Sequence, residues 1–394
     1  MIDVGERMKL KSVLFVGNYP NMIDKYRNVF FRNLIYSIAD RGCKCTVIMP
    51  LSVTHYKQKA FSVPYEVDDI TPNGNHVHVL FPKCVTYSAK KIGKWNTGRM
   101  SEHSFQKAAV RAASRLNDQF DCVYGHFFLE GGLAAAAVGR KLNIPSFIAY
   151  GECSYETEVE FSYGTIKAEE LESLRGIITV STDNSNELKK RKVFDVFPKL
   201  LAPNGIDSEL FHTMDKNECR KKLKIQENQF VVGFVGGFIE RKGTLRLLEA
   251  INQIDGVYGA FAGKGEEKPE GEKVVLCDAM EHERVPVLLN AVDVFVLPTL
   301  AEGCCNAVIE AMACGLPVIS SDLPFNHDIL NETNSILIDP MNINEIRDAI
   351  IRIKKDEEFR QRLSRGALET AKLLTIEGRT DNILQFIDNS IFGK

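Results

Sequence analysis

The chain has 394 residues, 44% of them hydrophobic and 26% charged, with a formal net charge of −3. That length exceeds one ordinary core and points to two domains. The composition is that of a globular chain, and no run approaches the roughly 18 apolar residues of a membrane-spanning helix. The near-balanced charge gives no global pull toward nucleic acid and no base-reading motif occurs, so no nucleic-acid partner is expected. The ten cysteines are scattered without paired CxxC units, which argues against a disulfide framework and for small buried hydrophobes.

The first apolar run, VLFVG, suits a β-strand better than a signal peptide, so the protein is expected in the cytoplasm. From there SVLFVGN, CTVIMP, HVHVLFP, DCVYGHF, PSFIAYG and GIITVST read as buried strands. Between the first two lies NVFFRNLIYSIADRG, where Phe30, Phe31, Leu34, Ile35 and Ile38 form a helical stripe that Gly42 ends. Turn residues in LLAPNGIDSELF mark a join, and QFVVGFVGGF, VYGAFAG, KVVLCD, DVFVLPT, LPVISSD and SILIDP then repeat the pattern. Strands alternating with helices imply parallel sheets covered on both faces. The expectation is an α/β protein of two doubly wound lobes, 1–204 and 205–375, with a helical tail at 376–394. Ligands of such sheets bind beyond the carboxyl ends of the strands, so the lobes are expected to face one another across a cleft.

Two strand-end loops of the second half carry the chemistry. In GFVGGFIERKG, Gly236 and Gly237 permit a tight turn before Arg241 and Lys242, a pair suited to a diphosphate because Arg bonds bidentately and Lys acts as a point charge. In LPTLAEGCCNAVIEAMACGLPVISSD, Glu302 and Gly303 sit at a strand end, and Asn306 is placed to cap the following helix, whose first N–H groups face a ligand around Cys304 to Ala307. Glu310, one turn into that helix, is placed to accept two hydrogen bonds from a vicinal diol such as ribose, and Glu302 to accept them from sugar hydroxyls. Cys304 and Cys305 lack an evident activator for thiol chemistry. Val67-Asp68-Asp69 is a weak DxD, expected as a solvated turn, and His76 and His78 share a strand face without a third metal ligand. From Lys83 to Arg115 the chain is rich in cations (Lys83, Lys90, Lys91, Lys94, Arg99, Lys107, Arg111, Arg115) interleaved with Tyr87, Trp95 and Phe105. This stretch reads either as a solvated face or as a peripheral contact with anionic membrane.

These motifs, with the opening VGNYPN, DCVYGHFFLEGG, GIITVST, APNGID, FAGKGEE and the helical tail, resemble over nearly the full length the retaining glycosyltransferases of the GT4 family, glycosyltransferase group 1, which have the GT-B fold. The resemblance implies two Rossmann-like domains facing a cleft, with the tail helix crossing back to the first. It implies that Arg241 and Lys242 bind the donor diphosphate and Glu310 the ribose, while Glu302, Gly303, Cys304, Cys305 and Asn306 contact the transferred sugar. Gly17 and Gly237 would lie against the donor, and backbone from Cys277 to Met280 would hold the nucleobase. His126, following the strand DCVYG, matches a histidine beside the transferred sugar, and Asn18, Tyr150 and Glu152 fall on the acceptor side. Many relatives have a histidine where this chain has Tyr150. The implied reaction moves a sugar with retention from a UDP-sugar, or a GDP-sugar, to a glycan or lipid-linked glycan in cell-surface polysaccharide synthesis. It needs no metal or cofactor, since Arg241, Lys242 and a helix N-terminus supply the positive charge. The alternatives are a nucleotide-sugar epimerase of the same fold and a non-catalytic two-lobed sugar-binding protein. A dinucleotide oxidoreductase is disfavoured because no intact GxGxxG opens a βαβ unit.

Overall fold

The computed structural model describes residues 8–25, 28–93 and 95–393. The chain divides into two compact units: one runs to Ala202 and resumes at Arg379, and the other is Pro203–Gly378.

In the first unit the main strands are β1 (Ser12–Val16), β2 (Lys44–Ile48), β3 (Glu66–Ile70), β4 (His76–Leu80), β5 (Cys122–His126), β6 (Ser146–Tyr150), β7 (Leu174–Thr179) and β8 (Lys199–Leu201). They form one eight-stranded sheet in the order β8-β7-β6-β5-β1-β2-β4-β3. Every pairing is parallel except β3 with β4. The inner strands are buried at almost every position, as expected where helices cover both faces. The apolar stripe of helix α1 (Val29–Ala39) buries Phe31, Leu34, Ile35 and Ile38, and Gly42 takes the left-handed conformation (φ 85°) just beyond it. Helices α2 (Thr97–Ala113) and α3 (Leu133–Leu142) follow β4 and β5.

One expectation is corrected at the sheet edge. Val67-Asp68-Asp69 is not a turn but the middle of β3, an antiparallel strand whose side chains alternate in exposure. Asp69 accepts hydrogen bonds from the Tyr19 and Tyr36 hydroxyls at 2.7 and 2.8 Å. His76 and His78 on β4 pair across the ladder with Asp68 (2.5 Å) and Glu66 (2.9 Å). Among the described residues, no group of three or more His, Cys, Asp or Glu is placed to hold a metal ion.

The second unit holds β9 (Phe230–Val235), β10 (Val257–Ala262), β11 (Val274–Asp278), β12 (Val294–Leu297), β13 (Val318–Ser321) and β14 (Ser335–Ile338). They make a parallel sheet in the order β11-β10-β9-β12-β13-β14. Helices α4 (Thr244–Asn252), α5 (Asn306–Ala313) and α6 (Ile343–Lys355) pack on it, each burying an apolar face. Cys219, Cys305 and Cys314 are buried in this core, and burial pushes the Cys305 and Cys314 thiols up to about 12.

In each sheet the strand order reverses once beside the first strand of the unit, between β1 and β5 in one and between β9 and β12 in the other. There the connections leave toward opposite faces, opening a crevice at the carboxyl ends of the two strands.

The last helix, α7 (Ile376–Phe392), belongs to the first unit from Arg379 onward. It buries Ile383, Leu384 and Ile387 and sets Phe386 edge-on to Phe147 on β6, with ring centroids 6.0 Å apart. A side chain at Gly176 would place its Cβ 2.6 Å from the Phe386 ring, so only glycine lets the helix lie this close. Asp388 accepts the backbone N–H groups of Lys9 and Leu10 at 2.8 and 2.7 Å. Among the described residues, no helix is long and apolar enough to cross a membrane.

Candidate active site

At the reversal point of the second unit, the chain leaving β9 passes Gly236 and Gly237, makes a short 3-10 turn over Glu240–Lys242 and enters α4 through Gly243. Gly243 is left-handed (φ 74°), and a Cβ there would lie 2.5 Å from the Pro298 carbonyl oxygen of the loop after β12. The two loops are bonded directly: Leu300 N–H donates to the Arg241 carbonyl at 2.8 Å, and the Arg241 guanidinium donates to the Ala301 carbonyl. Glycine is also required at 263, after β10, where a Cβ would meet the Gly236 carbonyl oxygen at 1.9 Å. Gly237 differs: a Cβ there would make only ordinary contacts, with Ile239 Cγ1 at 3.9 Å and the Lys264 carbonyl oxygen at 4.0 Å.

These bonds bring Arg241, Lys242 and Glu302 together. The Glu302 carboxylate receives Lys242 Nζ at 2.5 Å, Arg241 Nη1 at 3.0 Å and the Thr299 hydroxyl at 2.8 Å. Burial disfavours the Lys242 ammonium, but the charge and hydrogen bond of Glu302 favour it, and the net shift of the lysine pKa is upward. Lys242 is therefore a fixed cation.

Glu310 stands apart from that cluster. It is buried on α5, and its Oε1 lies 3.1 Å from His282 Nε2, while the His282 ring packs edge-on to Phe211 with centroids 5.1 Å apart. Burial lowers the His282 pKa, but the hydrogen bond and charge of Glu310 raise it by more, so the net shift is upward. The sequence reading missed His282, and its only signal was its place two residues after Met280. Cys277 on β11 and Met280 just beyond it are half-buried against this part of the core. Asn306 is corrected: it is the first residue of α5, Cys305 holds the cap position without a side-chain bond, and the Asn306 amide oxygen accepts the Asn204 amide at 2.7 Å.

At the reversal point of the first unit, Gly17 follows β1 and His126 ends β5. A Cβ on Gly17 would lie 3.3 Å from that of His126. The His126 ring, 5% exposed, stacks on Phe31 at 4.4 Å and meets Phe127 edge-on at 4.7 Å. Its Nδ1 has no hydrogen-bond partner among the described residues. Burial, with the nearby Arg379 charge, lowers its pKa to about 3, so the imidazole is neutral at physiological pH.

The segment after His126 is strained. Phe127 (φ 63°, ψ 157°) and Glu130 (φ 58°, ψ 12°) both hold conformations that side chains rarely adopt. Two buried carboxylates hold it there: Glu152 accepts Phe128 N–H at 2.5 Å and Glu102 accepts Glu130 N–H at 2.8 Å. The Asn18 amide donates to Glu130 at 2.5 Å. Asn18, Glu102, Glu130 and Glu152 all line one cavity of about 400 Å³. The sequence reading named Asn18 and Glu152 but missed Glu102 and Glu130, because ordinary acidic residues on a helix and in a loop carry no local signature. Tyr150 is corrected as an acceptor contact: it is fully buried against Phe128 and Tyr155, and its hydroxyl donates to Glu187. It braces the strand end.

The basic stretch is also revised. Phe105 lies in the core at 3% exposure and is no surface anchor. The Lys83 ammonium donates to the Val63 carbonyl at 3.1 Å, and the Arg99 guanidinium sits 4.7 Å above the Tyr163 ring. Tyr87, Lys90, Lys107, Arg111 and Arg115 are exposed. Lys94 and the side chains of Lys91 and Trp95 lie outside the described residues.

Two doubly wound units, each with a crevice where its strand order reverses, are the components of the GT-B fold. Residues 215–370 match the family model described as glycosyl transferases group 1. The putative teichuronic acid biosynthesis glycosyltransferase TuaC of Bacillus subtilis is 26% identical over 376 residues, covering 92% of this chain and 94% of that one. A UDP-Gal:alpha-D-GlcNAc-diphosphoundecaprenol alpha-1,3-galactosyltransferase of Escherichia coli is 26% identical, covering 61% of this chain and 68% of its own. Among solved structures, sucrose-phosphate synthase from Thermosynechococcus elongatus superposes with a TM-score of 0.73 at 19% identity, over 95% of this chain and 97% of that one. Anabaena HepE, solved in complex with UDP and glucose, superposes with a TM-score of 0.66 at 15% identity, over 96% and 99%. The chain has the GT-B fold, is similar to group 1 glycosyltransferases over residues 215–370, and is similar to a curated glycosyltransferase over most of its length.

The His282–Glu310 pair has a pH signature. Because the folded pKa of His282 is raised above its ordinary 6.5, the stability it contributes is fully present below that value and is lost as pH rises through the folded value. Thermal unfolding of His282→Gln against the parent should show the largest deficit near pH 6 and a shrinking one toward pH 9. A deficit that grows with pH contradicts the pairing.

Proposed function

We propose that this glycosyltransferase is a retaining, metal-independent member of the GT4 family that takes its sugar from a UDP-sugar, with a GDP-sugar as the alternative donor. The observation that carries the reading is the Arg241–Lys242–Glu302 cluster at the reversal point of the second sheet. Arg241 and Lys242 hold the diphosphate, Glu310 takes the ribose hydroxyls, and Glu302 turns to the sugar hydroxyls. Backbone of Gly237 and of Gly303 to Asn306 approaches the donor, and the chain from Cys277 to Met280 holds the base.

In the transfer, the bond from the anomeric carbon to the diphosphate oxygen breaks and its electron pair leaves with the diphosphate, whose charge the two cations offset. An acceptor hydroxyl forms the new bond from the same face, and its proton passes to the departing phosphate oxygen. Neither Glu302 nor Glu310 is needed as acid or nucleophile, in contrast to a retaining glycosidase. His126 stays neutral and contributes hydrogen bonding on the acceptor side, where Gly17, Asn18 and Glu152 also lie. The names of the relatives, with teichuronic acid in one and a diphosphoundecaprenol-linked sugar in another, favour a glycan or lipid-linked glycan acceptor in cell-surface polysaccharide synthesis. The exposed Lys107, Arg111 and Arg115 recur every four residues along and just beyond α2, a spacing that favours peripheral contact with an anionic inner membrane surface.

A thermal-shift panel of nucleotide sugars tests the donor site. Ligand at about 100 times its Kd stabilises by about 2.7 kcal/mol, so a UDP-sugar should raise the melting temperature by a few degrees. Arg241→Ala and Glu310→Ala should abolish the rise, and silence toward every nucleotide sugar overturns the reading. Membrane contact is checked by flotation: the protein should rise with vesicles rich in phosphatidylglycerol and remain at the bottom with phosphatidylcholine. Equal failure with both removes the membrane partner.

A further inference from the structure

Arg246 lies in the first turn of α4, and its side chain reaches back over the carboxyl ends of the second sheet. Its guanidinium donates to three backbone carbonyls, each in a different strand-end loop. Nη1 donates to Glu240 at 3.0 Å, Nη2 to Pro298 at 3.0 Å and Nε to Pro340 at 2.9 Å. Glu240 opens the 3-10 turn that carries Arg241 and Lys242, Pro298 directly follows β12, and Pro340 lies just beyond β14. One side chain therefore joins the loops after β9, β12 and β14, the last two separated by β13 in the sheet. A guanidinium can do this because its N–H groups point in fixed directions from one plane. An ammonium at the same place is a compact charge without that fork.

The neighbouring backbone is shaped to admit it. A Cβ at Gly243 would lie 2.7 Å from Arg246 Nη2 as well as 2.5 Å from the Pro298 carbonyl oxygen. Glycine there leaves the guanidinium room to reach that carbonyl.

The ties between the loops after β9 and β12 differ in what a diphosphate does to them. Arg241 and Lys242 bond to the Glu302 carboxylate, an anion with which an incoming diphosphate competes. The bonds of Arg246 end on neutral carbonyls, for which an anion does not compete. When the two cations turn to a ligand, Arg246 still fixes their turn against Pro298, in the loop that carries Glu302.

We propose that Arg246 is a positioning residue for the donor diphosphate: by clamping three strand-end loops it keeps Arg241 and Lys242 converged after Glu302 has released them. It acts through those two cations. The inference rests on the donor-site reading above and adds to it the residue that preorganises the site. Cations already held in place bind an anion without first ordering their loop, so loss of the clamp appears as weaker binding.

Arg246 is half-buried, so substitution there opens no core. Arg246→Lys keeps the charge and loses the fork, and Arg246→Gln loses both. UDP is titrated calorimetrically into the parent and both variants, where the stoichiometry reports the competent fraction and Kd reads placement alone. Amide exchange over 238–243 and 298–302 is followed in the same proteins without ligand. The expected result is a Kd about fivefold or more weaker in both variants, with Lys no better than Gln, and faster exchange in both segments. A brace with only a structural role would lower the melting temperature and leave Kd unchanged. An unchanged Kd, recovery of parental affinity by Arg246→Lys, or unchanged exchange in both segments would each overturn the proposal. A parent that binds no UDP overturns the donor reading and the proposal with it, and the exchange data tell that outcome from a failure of the clamp.

Discussion

The ion cluster of Glu302 with Lys242 and Arg241 ties together the loops after β9 and β12, neighbouring strands where the second sheet reverses its order. Without the carboxylate, two cations would face each other at the end of a sheet, one of them largely buried. With it, the charge is balanced and the backbone bonds from Leu300 to Arg241 and from Arg241 to Ala301 lock the loops in register. A diphosphate entering this site meets preorganised cations whose present partner is a carboxylate. On the proposed reading, the site exchanges one anion for another, and Glu302 becomes available to hydroxyl groups when the exchange occurs.

The first unit uses the same topological device for different chemistry. Its reversal point ends in Gly17 and His126, and the segment beyond is strained at Phe127 and Glu130. Strain of this kind costs about 1–3 kcal/mol per residue and persists only where surrounding bonds over-determine it. Here those bonds come from Glu102 and Glu152. The buried acids hold the segment that follows His126, and burial raises both of their pKa values.

Much of this was legible in the residues. Apolar β-branched runs identified the long strands of both sheets, because strands covered on both faces must be apolar at nearly every position. The glycine turns and the EGCCNAVIE segment located the loops. What escaped depended on distance in sequence. The strand Glu66–Ile70 reads as polar because it is an edge strand paired only with its hairpin partner. Asn306 has the residue type of a helix cap, yet its amide is taken by Asn204, 102 positions away. Tyr150 occupies a strand end, but the packing of Phe128 and Tyr155 around it decided its burial. His282 and Glu102 acquire their roles only from partners 28 residues away, Glu310 and Glu130.

The exchange at Glu302 is tested most directly by isothermal titration of UDP into the parent protein and into Glu302→Gln. If Glu302 is the anion that a diphosphate displaces, its neutralisation leaves Lys242 and Arg241 uncompensated. UDP should then bind several-fold more tightly to the variant, while sugar transfer slows because a hydroxyl acceptor is weakened. Unchanged or weaker UDP binding in Glu302→Gln would contradict the exchange and leave the cluster as a structural tie between two loops.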